Sequence, residues 1–67
     1  MEGWTQIYAG TRIEEIDFFK ELLEENNIIA VIVNKQDSIY LIGEIELYVP
    51  VEDAFNANQI INKFRSE

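Results

Sequence analysis

Two glutamates have the side-chain chemistry and the spacing that a reactive site would need. Glu44 and Glu46 lie two positions apart in a segment, residues 44–49, whose polar and apolar residues alternate. In a β-strand they share one face, where paired carboxylates can act as a general acid and base or loosely bind a divalent cation. Two solvated carboxylates on an open face are far more common, so we predict neither a catalytic pair nor a metal site.

The rest of the composition excludes the familiar nucleophiles. The chain has no histidine and no cysteine, and its only serines are Ser38 and Ser66, so no Ser-His or Cys-His pair can form. Its three glycines are isolated from one another, which leaves no glycine-rich phosphate loop. We therefore predict a protein that is not an enzyme, with no catalytic, metal-binding or cofactor-binding residues and no cofactor.

Size and charge narrow the choice of partners. A chain of 67 residues has room for a single domain, residues 1–67. Its net charge of -8 disfavours nucleic acid and membrane partners, and it either keeps the domain soluble or attracts a basic protein. The first residues contain no basic and apolar leader, and the longest apolar run, residues 28–33, is too short to cross a bilayer. We expect a cytoplasmic location.

Residue patterns predict a strand and a helix in the first half of the chain. Residues 4–10 alternate and form the first predicted strand. Thr11 and Glu14 have the spacing of a capping box, which predicts a helix start at this point. Two asparagines at 26–27 end that helix. Its predicted buried stripe consists of Ile16, Phe19, Leu22 and Leu23.

Two further strands and a second helix are predicted in the second half. The β-branched run 28–33 is typical of a central strand covered on both faces, and residues 44–49 form a strand with one polar face. Pro50 stops the pairing, and a helix follows that runs to about Phe64. The predicted buried stripe of this helix consists of Ala54, Ala57, Ile60, Ile61 and Phe64.

The order β-α-β-β-α predicts an α+β protein with a ferredoxin-like sandwich. A helix between the first two strands requires a right-handed crossover, which leaves those strands parallel and both helices on one face of a three-stranded sheet. The complete ferredoxin-like pattern has a fourth strand, but only residues 65–67 follow the second helix. We expect the final strand to be short or missing and one sheet edge to be uncovered.

Three segments carry a family resemblance. They read LLE at 22–24, IIAVI at 28–32 with Asn34 after it, and GEIELYVP at 43–50. In these segments, and over residues 4–64 as a whole, the chain resembles a family of small bacterial domains labelled "putative signal transducing proteins". That family is similar in fold to the nitrogen-regulatory signal proteins, which implies a ferredoxin-like core and a regulatory role. The resemblance implies no catalytic residues, because its motifs are structural.

Aromatic residues on the uncovered sheet face are the first candidate interface. If both helices cover one face, the other face carries Trp4, Gln6, Tyr8, Glu44, Glu46 and Tyr48. RNA-binding sheets stack bases on such aromatic residues, but those surfaces are basic and this one is acidic. Trp and Tyr with a polar rim are also typical of protein interfaces. Two alternatives therefore remain: this face forms a face-to-face dimer or binds another partner, or it is simply exposed to solvent.

Other apolar residues fall where polar ones are expected. An apolar run, residues 39–42, occupies a position near a hairpin tip and consists of Ile39, Tyr40, Leu41 and Ile42. It either begins the third strand early, with Gly43 as a bulge, or forms an exposed loop that docks into another protein. Phe18 and Phe55 lie off the apolar stripes of their helices, where they either mark a contact or cap the edge of the core.

Together these patterns predict a non-catalytic binding or regulatory module that acts in protein–protein interaction or signalling. A homodimer is expected, because an uncovered edge strand favours pairing with a second copy. The alternative is a small-molecule sensor with its ligand at the 35–43 loop and a subunit interface, as the nitrogen-regulatory likeness implies. The candidate interface residues are Trp4, Tyr8, Tyr40, Leu41, Ile42, Tyr48, Phe18 and Phe55.

Overall fold

Three strands and two helices form a two-layer structure. The computed structural model describes residues 2–36 and 43–65. The strands are β1 (Trp4–Gly10), β2 (Val31–Asn34) and β3 (Ile45–Pro50), the helices are α1 (Ile13–Glu25) and α2 (Ala54–Arg65), and a short 3-10 turn (Val51–Asp53) leads into α2. The order β-α-β-β-α confirms the predicted ferredoxin-like α+β class.

The strand order in the sheet is β1-β3-β2, with β3 antiparallel to both neighbours. The first two strands are therefore parallel to each other, as predicted, but β3 separates them. The prediction of a central strand at 28–33 is wrong, because β2 begins at Val31 and lies at an edge while Ile29 is two-thirds exposed. The apolar residues of a strand indicate which of its faces are covered. They do not indicate whether the strand lies at the centre or at an edge of the sheet, because chain topology determines its hydrogen-bonded neighbours.

One face of the sheet packs under the helices. Ile45, Leu47 and Val49 of β3 are fully buried there, and the intervening Glu46 and Tyr48 point to the other face, in agreement with the alternation. Both helices contact β3 and each other. The buried residues of the core are Ile16, Phe19, Leu23, Ile28, Ala30, Ile45, Leu47, Val49, Ala57 and Ile61.

The start of α1 differs from the predicted capping box. Arg12 is the N-cap residue and forms no side-chain capping hydrogen bond. The N-cap therefore lies one residue after Thr11. The backbone carbonyl oxygen of Thr11 accepts a hydrogen bond from Gln36 Nε2 at 2.9 Å. The side chain of Glu15, three residues after the N-cap, accepts a hydrogen bond from Tyr8. The predicted Thr11–Glu14 capping box is therefore wrong, because the N-cap position is occupied by Arg12, whose side chain has no oxygen that could accept a hydrogen bond from a backbone N–H.

The end of α1 lies at the predicted asparagines. Asn27 has φ of 64°, a left-handed conformation that Asn tolerates better than most residues. Its N–H donates to Glu24 O at 3.0 Å, and Ile28 N–H donates to Leu23 O at 3.0 Å. This bonding pattern is a Schellman motif, and the buried side chains of Ile28 and Leu23 provide the apolar contact that accompanies it.

Candidate functional site

The outer side of β1 is a sheet edge. Among the residues described, β1 pairs only with β3. Trp4 lies opposite Pro50, so pairing extends one residue beyond the predicted stop, and Val51 N–H then donates to Gly3 O at 3.0 Å. In an antiparallel ladder this arrangement directs the backbone N–H and C=O groups of Trp4 and Gln6 away from β3. We call this side of residues 4–10 the β1 edge.

A β-bulge at Ile7 changes which face each β1 side chain occupies. Gln6 lies opposite Tyr48, and Tyr8 lies opposite Leu47, so the register shifts between them. Because residues opposite each other share a face, Trp4 and Gln6 are on the open face and Tyr8 is on the helix face. The predicted position of Tyr8 on the open face is therefore wrong. An uninterrupted alternation over residues 4–10 contains no signal for the inserted residue.

Tyr8 is instead held between the two helices. Its ring packs edge-on against Phe19 with centroids 4.9 Å apart, and the Arg65 guanidinium carbon lies 5.1 Å from the ring centroid. Its hydroxyl donates to Glu15 Oε1 at 2.8 Å. Burial and this hydrogen bond to a carboxylate raise the pKa of Tyr8 above its ordinary value. The residue thus joins β1 to both α1 and the end of α2.

Two exposed phenylalanines extend this aromatic group. Phe18 is 50% exposed and meets Phe64, itself 49% exposed, in a T-shaped pair with centroids 5.4 Å apart. The prediction that Phe64 is buried is wrong, because its ring packs against the exposed ring of Phe18 and not against the residues of the core. We call Tyr8, Phe18, Phe19 and Phe64 the aromatic cluster. Phe55 is 71% exposed, off the core as its helical position indicated.

The open face carries Trp4 and Tyr48, both half-buried. The Tyr48 hydroxyl donates to Glu46 Oε1 at 2.8 Å, and Lys35 Nζ lies 3.4 Å from the same oxygen. Glu46 is therefore engaged by its neighbours on the sheet, while Glu44 is exposed before β3 begins. Within the described part of the chain, no group of three or more acidic residues is arranged to hold a metal ion.

Several predicted site residues lie outside the described residues. They are Tyr40, Leu41 and Ile42, together with most of the ligand site predicted at the 35–43 loop. The interface roles of Trp4, Tyr48, Phe18 and Phe55 stay predictions, as does that of Tyr8 in its corrected position. Sequence analysis assigned Phe64 to the buried stripe of the second helix and did not name it as a site residue; its position one residue before the end of α2 was the available signal.

Comparison with protein families gives a match over most of the chain. The family model described as "Putative prokaryotic signal transducing protein" matches residues 4–65, which include all three strands and both helices. The chain belongs to this family. The match confirms the resemblance carried by the segments at 22–34 and 43–50, and the family description names neither a ligand nor a partner.

No curated protein and no solved structure gives a significant match. Neither helix, within the described ranges 2–36 and 43–65, has the length and apolar character needed to cross a membrane.

The two perturbed tyrosines predict a loss of stability in base. Because the pKa values of Tyr8 and Tyr48 are raised from 10.0 in the folded state, the unfolded chain loses these protons first as pH rises. The contribution of the two tyrosines to the free energy of unfolding is fully present below their pKa in the unfolded state. It is lost as pH rises through their pKa values in the folded state. Urea unfolding across this range should show the decline, and Tyr8→Phe with Tyr48→Phe should reduce it. An equal decline in the double variant would contradict this assignment.

Proposed function

We propose that this domain is a non-catalytic signalling module that binds a protein partner along the β1 edge, and that this partner is a second copy of the chain. The family membership supports a signalling role. The composition supports binding rather than nucleophilic catalysis, since the chain has no histidine and no cysteine. The choice of the β1 edge as the binding surface depends on the residue composition of β1.

The observation that carries the proposal is an edge strand without charge. The seven residues of β1, WTQIYAG, include no Asp, Glu, Lys or Arg, although charged residues make up 27% of the chain. Natural proteins protect exposed strand edges with charged side chains, proline, bulges or very short strands. Here the bulge at Ile7 protects the second half of the strand, and residues 4–6 keep outward backbone groups available for pairing.

A two-fold axis at Thr5 makes this edge self-complementary. Antiparallel pairing with Thr5 opposite Thr5 of the second copy places Trp4 opposite the other copy's Gln6. Each of these two pairs can exchange two backbone hydrogen bonds, because the outward groups belong to Trp4 and Gln6. The result is a continuous six-stranded sheet with isologous contacts, the commonest symmetry of soluble dimers.

Side chains on both faces of the β1 edge extend the contact. On the open face, Trp4 lies across from the neutral Gln6 of the second copy. On the helix face, the exposed rings of Phe18 and Phe64 belong to the aromatic cluster, which is anchored on β1 through Tyr8. Aromatic residues beside a charge-free strand are the composition expected at the centre of a protein interface.

Sedimentation of the full chain at two salt concentrations tests the partner. Two copies carry -8 each, a sum of -16, so their repulsion opposes association and salt weakens that repulsion. We expect a dimer at tens of micromolar protein whose dissociation constant falls when NaCl rises from about 50 mM to about 500 mM. A monomer at every concentration would exclude the second copy, and a complex with a basic protein that salt dissociates would assign the edge to that partner.

A further inference from the structure

A groove lies between the C-terminal end of α1 and one side of α2. It is open to solvent and has a volume of about 330 Å³. This volume is at the lower end of the range for small-ligand sites, about 300–1,000 Å³. Its lining residues are Asn26, Asn27, Ile28, Asp53, Asn56, Gln59, Ile60 and Lys63. None of them belongs to β1 or to the aromatic cluster, so the groove is separate from the surface proposed for dimerisation.

Carboxamide side chains dominate the polar lining. Asn26 and Asn27 come from the Schellman motif on one wall, and Asn56 and Gln59 come from one side of α2 on the other. Each carboxamide has two donors and one acceptor oxygen, which match the C=O and N–H groups of a peptide backbone. Within the described ranges, only the Asn26 amide is engaged, through Nδ2 to Leu22 O at 2.8 Å.

Opposite charges stand at the two ends of the α2 wall. Asn56, Ile60 and Lys63 recur at intervals of four and three residues, so they form one stripe along α2. Asp53, the last residue of the 3-10 turn, lies three residues before Asn56 at the start of this stripe. Lys63 is exposed, and α2 contains no acidic residue at all, although the chain has thirteen. A ligand in the groove therefore meets a carboxylate at one end and an ammonium group at the other.

The spacing of these groups sets the length of the ligand. Asp53 and Lys63 are ten residues apart, which corresponds to about 15 Å along the helix axis. The long side chain of Lys63 leans towards the N-terminal end of the helix, which brings its ammonium group closer to Asp53. An extended chain of three residues spans about 10 Å, so its two termini can reach both charged side chains. We propose that the groove binds a short extended peptide of two or three residues, with its N-terminal ammonium towards Asp53, its backbone on the carboxamides and its C-terminal carboxylate towards Lys63.

Triglycine is the appropriate probe, because it has a peptide backbone and two terminal charges without side chains. We expect titration of the ¹⁵N-labelled chain with triglycine to shift the side-chain amide signals of Asn27, Asn56 and Gln59, with a dissociation constant on the order of 1 mM. Triglycine amide, which lacks the carboxylate, should bind about threefold to fivefold more weakly, and Lys63→Gln should remove that difference. An absence of shifts at about 10 mM triglycine would overturn the proposal.

Matched variants separate the groove from general surface effects. The double variant Asn56→Ala, Gln59→Ala should lose detectable binding, while Asn58→Ala, Asn62→Ala, which removes two exposed amides of the same helix outside the groove, should bind like the wild type. Asn27→Gly removes a lining amide and keeps the left-handed backbone that the Schellman motif needs. It should weaken binding without unfolding the chain. Equal affinity of the two double variants for triglycine would overturn the proposed location of the site.

Discussion

Gln6→Pro is expected to convert the proposed dimer into a folded monomer. The N–H group of Gln6 points away from β3, so proline at this position removes no hydrogen bond from the sheet of one copy. It would remove the one bond that Gln6 of each copy donates across the proposed two-fold axis, two bonds in all, and its ring would occupy the pairing surface. At about 1 kcal/mol for each lost bond, with the steric effect added, the dissociation constant should rise on the order of 100-fold.

Two control substitutions make this experiment specific. Gln6→Ala removes the same side chain and keeps the backbone donor, so it should remain a dimer. Thr5→Pro removes an N–H that points towards β3 and should therefore destabilise the domain itself. Sedimentation measures the association state, and circular dichroism with urea unfolding measures the fold of each variant. A folded Gln6→Pro variant that still sediments as a dimer would show that the second copy binds elsewhere.

Gly43→Ala should produce the largest loss of stability among the substitutions considered. Gly43 has φ of +103°, and a Cβ at this position would lie 2.5 Å from the backbone oxygen of Lys35. Lys35 N–H also bonds Glu44 O at 3.0 Å, so the two chain segments have little freedom to separate. We expect the free energy of unfolding to fall by about 3 kcal/mol, a large part of the stability of a small domain.

Gly3→Ala is the matched control for this prediction. Gly3 also has a positive φ of +84°, but a Cβ there would meet no atom within 4 Å. The loss of stability in Gly3→Ala should therefore come from the backbone conformation alone, and we expect the free energy of unfolding to fall by about 1 kcal/mol. The difference between the two alanine variants in urea unfolding measures the steric contact with Lys35. Equal losses at both positions would contradict a tight approach of the two backbone segments at Gly43.

The β1 edge and the groove are two different kinds of surface. The β1 edge combines outward backbone groups with apolar rings, which suits a protein chain. The groove combines carboxamides with one charge at each end, which suits a small polar ligand. If the dimer experiment fails, the triglycine titration still tests the groove, because the lining residues are distinct from those of the edge.

Local sequence patterns determined the elements and most of their faces. The alternation over 44–49 identified which side chains of β3 are buried, because successive residues of a strand point to opposite faces. Helical spacing identified Ile16, Phe19 and Leu23 as the buried stripe of α1 for the same geometric reason. The order of elements then determined that β1 and β2 are parallel, since the intervening helix must cross back over the sheet.

Tertiary contacts decided the details of the candidate site. The bulge at Ile7 moves Tyr8 to the helix face, where Glu15 and Phe19 provide its partners, and no residue type in β1 encodes that insertion. The edge position of β2 follows from β3 pairing on both sides. The bulge and the edge position of β2 both depend on contacts between residues that are distant in the chain. Periodicity reflects only residues that are close together in the chain. The strands and helices were therefore predictable from the sequence, and the face occupied by Tyr8 was not.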